Sequence, residues 1–288
     1  MSTQTKKYLR SRPELIFVGT VIFVALSLAL IYLIDVRDSF EIRQQLFGGE
    51  SVPFFWGYWY KAVVESIFQW GMLFLVMYLF FMSAHGALKK ADLRAFRFCR
   101  LMGFGALLMF LEDVFNFRHI ARDIMAVHRG GNTYDLVGTA FELGYFAAIA
   151  STLIYAVWRY RDVYWDHIKS VVFLALGFLF YGIAVGSSWA GSAFQSQLDE
   201  DLYTRSGRLI MDRLFRSDPE TSAIIDEINQ FLAGETLYTG EPVSPLEYYF
   251  MDYVYEESME VLGASALLVA ALTIYSRIHR SPSDNGQS

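Results

Sequence analysis

The stretch that decides the fold is residues 15–34, which read LIFVGTVIFVALSLALIYLI and contain no charged side chain. A helix needs about 20 mostly apolar residues to cross a bilayer, so this run is long enough to span one. Basic residues precede it at positions 6, 7, 10 and 12. The run is longer than the apolar part of a signal peptide, and no small-residue cleavage site follows it. We therefore expect an uncleaved anchor helix.

The composition of the whole chain agrees with this first stretch. Of its 288 residues, 54% are hydrophobic and 19% are charged, whereas soluble domains carry roughly 45–50% and about 25%. The 17% aromatic content excludes a disordered chain, and the single cysteine, Cys99, excludes a disulfide scaffold. A net charge of -6 disfavours nucleic acid as a partner. A polytopic membrane protein remains.

Apolar runs predict further membrane-crossing helices along the chain. We expect about six in total, at 15–34, 62–84, 101–125, 136–158, 170–191 and 246–276. The predicted fold is an all-α polytopic membrane helical bundle with a small outer helical segment between spans five and six. Along the sequence this gives spans one to five in 1–190, the extracytoplasmic segment in 191–246, and span six with a cytoplasmic tail in 247–288.

The distribution of Lys and Arg predicts the orientation. These residues are denser in segments 1–14, 85–100, 158–169 and 277–288 than in the alternate loops. Basic loops stay on the cytoplasmic side of a membrane. We therefore expect both termini to be cytoplasmic, in a multi-pass protein of the cell membrane such as a bacterial inner membrane.

The predicted outer segment carries two helix signals. Residues 207–215 are compatible with a short amphipathic helix. A second helix is predicted to begin at Pro219, with Asp218 as its N-cap, and to end at Gly234. Two interpretations stay open for these helices, a lid over a site or a packed connector.

Carboxylates inside the predicted spans are the feature that points to function. A charged side chain in lipid costs several kcal/mol, so most of these acids must face the bundle interior or a wet cavity. All of them lie in the outer halves of the predicted spans. In span three, Glu112, Asn116 and His119 are spaced by four and three residues and share one helix face. In span six, Glu256 and Glu260 are spaced by four and share another.

We therefore predict an outward-facing polar pocket between spans two, three, four and six. Its predicted metal ligands are Glu112, His119, Glu142, Glu256 and Glu260, and its supporting polar residues are Glu65, Gln69, Asp113, Asn116 and Glu257. The nearby cations Arg118 and Arg122 are too few for these acids. Either several acids are protonated, or a divalent metal of undetermined identity neutralises them.

The position of His119 sets it apart from the deeper acids. It lies about 10.5 Å beyond Glu112 along the helix axis, at about 1.5 Å per residue. Since metal–ligand bonds are about 2.0–2.6 Å, one ion cannot bind both side chains. His119 is therefore expected either in a second, shallower site or as a proton relay.

Three functions fit this sequence. The first is a cation-handling membrane protein with a metal or proton site. The second is a metal-dependent membrane enzyme on a lipid-like substrate, for which no catalytic residue is assigned. The third is a non-catalytic assembly or sensor subunit. The expected partners are the lipid bilayer and a cation or lipid-like ligand, with the oligomeric state open.

Overall fold

The computed structural model describes residues 12–37, 39–41, 45, 55–115, 117, 120, 124, 136–194, 202–216, 219–234 and 244–279. Its helices are α1 (Glu14–Val36), α2 (Phe55–Val63, Val64–Gln69 and Trp70–Lys89), α3 (Leu93–Phe115), α4 (Leu136–Arg159), α5 (Ile168–Phe194), α6 (Leu202–Leu214), α7 (Pro219–Gly234) and α8 (Leu246–His279). The described residues contain no strand. The predicted all-α class is confirmed.

Five helical segments of the described chain are long and apolar enough to cross a membrane. They are Glu14–Val36, Trp59–Lys89, Ala140–Arg159, Ile168–Trp189 and Leu246–His279. Each coincides with a predicted span, and together they have the character of a multi-pass membrane protein.

The predicted third span, 101–125, falls on α3 as far as Phe115, and most of its remaining residues lie outside the described part of the chain. Helix α3 is not among these five helices. The reason lies in its sequence, because the uncharged stretch 101–111 is bounded by Arg100 and Glu112. That stretch is shorter than the roughly 20 residues a span needs. A sixth span stays a prediction.

Contacts divide the chain into two compact units. The first comprises Met1–Val21, Ser66–Ile183 and Glu260–Ser288, and the second comprises Ile22–Glu65 and Ala184–Met259. Both units bring together segments that are distant along the chain. The predicted segments 1–190, 191–246 and 247–288 describe the order along the sequence, and that division stays a prediction.

In the first unit, α2 and α3 form an antiparallel helical hairpin. The rings of Phe80 and Phe98 lie 6.2 Å apart, and those of Phe74 and Phe110 lie 5.9 Å apart. As the residue number falls along α2 it rises along α3, so the helices run in opposite directions. The Asp92 carboxylate accepts a hydrogen bond of 3.0 Å from the Ala95 amide and caps the start of α3.

One end of this unit is fixed by polar contacts between connections. The contacts are Arg94 Nη2 to Asp162 Oδ1 (2.7 Å), Arg277 Nη1 to Val163 O (2.8 Å), Lys90 Nζ to Ile278 O, and Lys169 Nζ to Glu14 Oε1 (2.9 Å). The α2–α3 turn therefore lies at the same end as the α4–α5 connection and the end of α8. The start of α1 meets the start of α5 there.

Helix α8 is the most buried of the five membrane-length helices. In its apolar window 72% of the residues are buried, against 33% or fewer in the other four. A Cβ at Gly263 would lie 2.6 Å from the Tyr181 ring and 3.3 Å from the Gly177 carbonyl oxygen. The close approach of α5 and α8 therefore depends on small residues.

In the second unit, both helices predicted between spans five and six are present. Helix α7 begins at Pro219 and ends at Gly234, which confirms both predicted ends. Ile225, Ile228 and Leu232 form its buried stripe. Helix α6 covers most of the predicted 207–215 helix. The predicted N-cap Asp218 lies outside the described residues. The side of the membrane on which these two helices lie stays a prediction.

Three of the helices contain a turn of π-helix. These turns are Ile31–Val36 in α1, Val64–Gln69 in α2 and Phe250–Glu256 in α8. π turns are rare in proteins overall, and those that occur are often found at functional sites. Each of the three carries at least one of the carboxylates that the sequence places inside or at the end of a span: Asp35, Glu65, Asp252 and Glu256.

A candidate site formed by a buried carboxamide and carboxylates

The first unit holds a cluster built around the Gln69 carboxamide. Its Nε2 donates one hydrogen bond of 2.6 Å to Asp113 Oδ2 and another of 2.6 Å to Glu260 Oε2. Gln69 ends the π turn of α2, Asp113 lies near the end of α3, and Glu260 lies on α8. The two carboxylate oxygens are at most about twice the hydrogen-bond length apart, because they share one nitrogen.

The Gln69 side chain is 1% exposed, and its two polar atoms are used unequally. Both protons of Nε2 are donated, whereas Oε1 is buried and has no hydrogen-bond partner among the described residues. A buried acceptor without a partner costs about 1–3 kcal/mol. The cluster therefore offers one open acceptor beside two carboxylates, which is the arrangement that a proton donor or a small cation would complete.

Two further predicted carboxylates of this unit are withdrawn from the surface. Glu112 is 6% exposed on α3, and Glu142 is 3% exposed on α4. Neither faces outward toward lipid, which agrees with the expectation that acids inside a span point inward. Their convergence with Glu256 and Glu260 on a shared ion stays a prediction.

The second unit contains a separate polar cluster around Lys61. The ammonium group lies 3.4 Å from Glu257 Oε1, 3.9 Å from Asp252 Oδ2 and 4.6 Å from the centre of the Tyr253 ring. Glu257 is 5% exposed, so part of this ion pair is desolvated. Lys61 is a counter-charge to these acids that the sequence did not predict, since it precedes the predicted start of span two. The expected cations Arg118 and Arg122 lie outside the described residues.

Glu256, a predicted ligand, binds a tyrosine hydroxyl in this unit. Tyr203 on α6 donates a short hydrogen bond to Glu256 Oε2, and both side chains are buried. Hydroxyls of Ser187 and Ser188 also bond the Tyr203 side chain. Burial, followed by the charge of Glu256 and the bond to it, raises the pKa of Tyr203. Tyr203 therefore stays protonated at neutral pH and links α6 to α8.

A network at the start of α8 anchors α6 and α7. Glu247 is 1% exposed and accepts hydrogen bonds from Asn229 Nδ2, at 2.8 and 3.0 Å, and from Arg216 Nη2, at 3.2 Å. Asn229 Oδ1 accepts the Leu246 amide at 2.8 Å. Burial alone would lower the pKa of Arg216, but its bonds and ion pairs with Asp226 and Glu247 raise it. The two helices are held by specific polar contacts, which favours the packed connector over a freely opening lid.

The predicted site residues therefore divide into four groups, of which the first is Glu112 and Glu142, both buried in the first unit. Gln69, Asp113 and Glu260 meet in the first unit, and Glu256 and Glu257 have partners in the second. Asn116, His119 and the side chain of Glu65 lie outside what the structure describes. Within the described residues, no group of three or more His, Cys, Asp or Glu is arranged to hold a metal. The metal interpretation gains no support from this part of the chain.

Comparison with known proteins adds no further assignment. No protein-family model, no curated protein and no solved structure matches the chain.

Proposed function

We propose that this chain is a cation-handling membrane protein that binds one proton, or one small cation, between Asp113 and Glu260. The observation that carries the proposal is the shared Gln69 amide, which holds both carboxylates at 2.6 Å from one nitrogen while its own oxygen has no partner among the described residues. Cation transport, sensing and proton relay are all activities that such a site supports.

Electrostatics favour an occupied site over an empty one. Two ionised carboxylates at most about 5 Å apart repel by about 3 kcal/mol or more at an effective dielectric constant of about 20. Protonation of one of the two, or one bound cation, removes this repulsion. The Gln69 oxygen can accept a hydrogen bond from a water or hydronium ion, or coordinate a small cation, at the same place.

The donor set favours a proton over a divalent metal. Within the part of the chain that the structure describes, Asp113, Glu260 and the Gln69 oxygen provide few ligand atoms, whereas Zn²⁺ takes four ligands and Ca²⁺ six to eight. Protonation needs only one pair of oxygens. The alternative is a metal ion bound by the sequence-predicted ligands Glu112, His119, Glu142, Glu256 and Glu260. Elemental analysis distinguishes a bound metal from a bound proton.

The test combines infrared spectroscopy with elemental analysis of protein purified in mild detergent without chelator. Between pH 8 and pH 5, we expect a carboxylic-acid carbonyl band that is lost in Asp113→Asn and in Glu260→Gln. The band should persist in Asp162→Asn, a matched control at a half-exposed carboxylate. Gln69→Leu should shift the band, because it removes both hydrogen bonds.

Each contrary outcome identifies another function. A stoichiometric metal that is lost in Asp113→Asn or Glu260→Gln would establish the metal site instead. An unchanged spectrum in both variants, with no metal, would refute the proposal and favour the assembly or sensor subunit. Reconstitution into vesicles with a pH-sensitive dye then shows whether binding is coupled to transport.

A second candidate, an enzyme for a lipid-like substrate, is favoured by one observation. The second unit contains an apolar cavity of about 510 Å³. Its lining residues include no carboxylate, histidine, serine or cysteine, so the cavity supports binding of an apolar chain without assigning a catalytic group.

A further inference from the structure

We infer that the apolar cavity of the second unit binds a phospholipid, with one acyl chain in the cavity and the phosphate at its rim. The cavity has a volume of about 510 Å³, within the usual 300–1,000 Å³ of ligand sites. It is lined by Leu28, Ala29, Ile31 and Tyr32 of α1, by Leu214 and Phe215 at the end of α6, and by Phe250 of α8.

Aromatic contacts give this cavity a fixed wall. The Phe215 ring stacks on Tyr32, with centroids 5.3 Å apart, and meets Phe250 edge-on at 6.0 Å. Part of the lining is accessible, since Leu28 is 39% exposed and Leu214 is 62% exposed. The cavity is therefore a built groove that an apolar chain can enter from the side.

The position of the groove along α1 selects a lipid. Its α1 residues lie in the last two turns of a membrane-length helix that ends at Val36. A span of this length places its ends at the boundary between hydrocarbon and headgroups. A chain in the groove would lie at the depth of lipid tails, with a polar end at the level where α1 ends.

An arginine next to the groove in sequence provides the complement to a phosphate. Arg213 is exposed and directly precedes the groove residue Leu214. Guanidinium groups bind phosphate through charge-assisted, bidentate hydrogen bonds. An apolar groove adjoined by an exposed arginine fits an anionic phospholipid better than a neutral lipid or a second protein helix.

Native mass spectrometry of the full chain in detergent micelles, titrated with phosphatidylglycerol, tests this inference. Ala29→Phe should weaken the first binding event roughly tenfold, since a ring in the groove displaces the equivalent of about two methylene groups. Ala25→Phe is the matched control, because Ala25 is also exposed on α1, one turn away, and does not line the groove. Arg213→Ala should weaken binding about fivefold, and Arg205→Ala, an exposed arginine two turns earlier on α6, should not.

Two further ligands separate the parts of the lipid. Diacylglycerol, which lacks the phosphate, should bind more weakly and be insensitive to Arg213→Ala, and glycerol phosphate, which lacks chains, should not bind. Equal phosphatidylglycerol binding in Ala29→Phe and Ala25→Phe would show that the groove is not the phospholipid-binding site. Equal binding in the two arginine variants would overturn the phosphate contact. Because these variants leave Asp113 and Glu260 intact, their outcome is independent of the cation proposal.

Discussion

Gly207→Ala tests the packing that holds α6 against the start of α8. A Cβ at position 207 would lie 2.8 Å from the carbonyl carbon of Glu247 and 3.1 Å from its Cα, and closer still to the carbonyl oxygen. These are backbone atoms, which cannot rotate away as a flexible side chain can. The substitution must therefore push α6 off α8.

The expected magnitude follows from two opposing terms. Overpacking costs about 1–3 kcal/mol, and a contact with backbone belongs at the upper end of that range. Replacing Gly by Ala inside a helix returns about 1 kcal/mol. We expect a net loss of about 2 kcal/mol in the free energy of unfolding, or roughly 4 °C in the unfolding temperature.

Thermal unfolding of the purified protein in detergent measures the loss, and limited trypsin digestion locates it. Cleavage should increase at the exposed arginines 205, 208 and 213 of α6. The matched control is Gly182→Ala in α5, where no atom lies within 4 Å of the new Cβ. That change should stabilise the protein by about 0.5–1 kcal/mol. If Gly207→Ala matches Gly182→Ala in sign and leaves α6 resistant to trypsin, the packing argument is wrong.

Two predictions concern topology and pH. Reporter fusions at Lys90 and Asp162 should both localise to the inner side of the membrane, because Arg94 and Asp162 join the α2–α3 turn to the α4–α5 connection. If the two fusions localise to opposite sides, α3 does not cross the membrane. Tyr203 has a folded-state pKa above its unfolded value of about 10, so its contribution to stability is complete below about pH 10 and is lost above it. Tyr203→Phe should therefore flatten the loss of unfolding temperature above pH 10, and an unchanged loss in this variant would contradict the role of Tyr203.

The apolar helices and the ends of α7 could be predicted from local sequence. The five membrane-length helices follow from long uncharged runs, and Pro219 and Gly234 mark α7 because each residue acts on the backbone beside it. The uncharged stretch 101–111 of α3, with charged residues on both sides, is visible in the same way. These features depend only on neighbours in the chain.

The partners of the carboxylates could not be predicted in this way. The sequence predicts that Glu256 and Glu260, four residues apart, line one pocket, and that stays a prediction; their spacing alone does not indicate the observed partners, Tyr203 for Glu256 and Gln69 for Glu260. The π turn Phe250–Glu256 includes Glu256 and changes the rotation per residue in this part of α8. That turn contains no proline or glycine, so the sequence does not indicate where the helix becomes irregular. Lys61 was missed for a different reason, since the predicted span began after it.

The π turns also explain why some polar groups are tolerated inside apolar helices here. A π turn bonds i to i+5, so it interrupts the regular ladder and presents backbone and side chains at an angle that a continuous α-helix does not offer. In α2 this turn ends at Gln69, the residue that holds two carboxylates at once. In α1 the turn contains Asp35, whose carboxylate accepts the Gly57 amide at 2.8 Å. Asp35 and Gln69 thus lie in π turns and bond a partner helix, whereas Glu112, Glu142 and Glu260 are polar residues of regular helix.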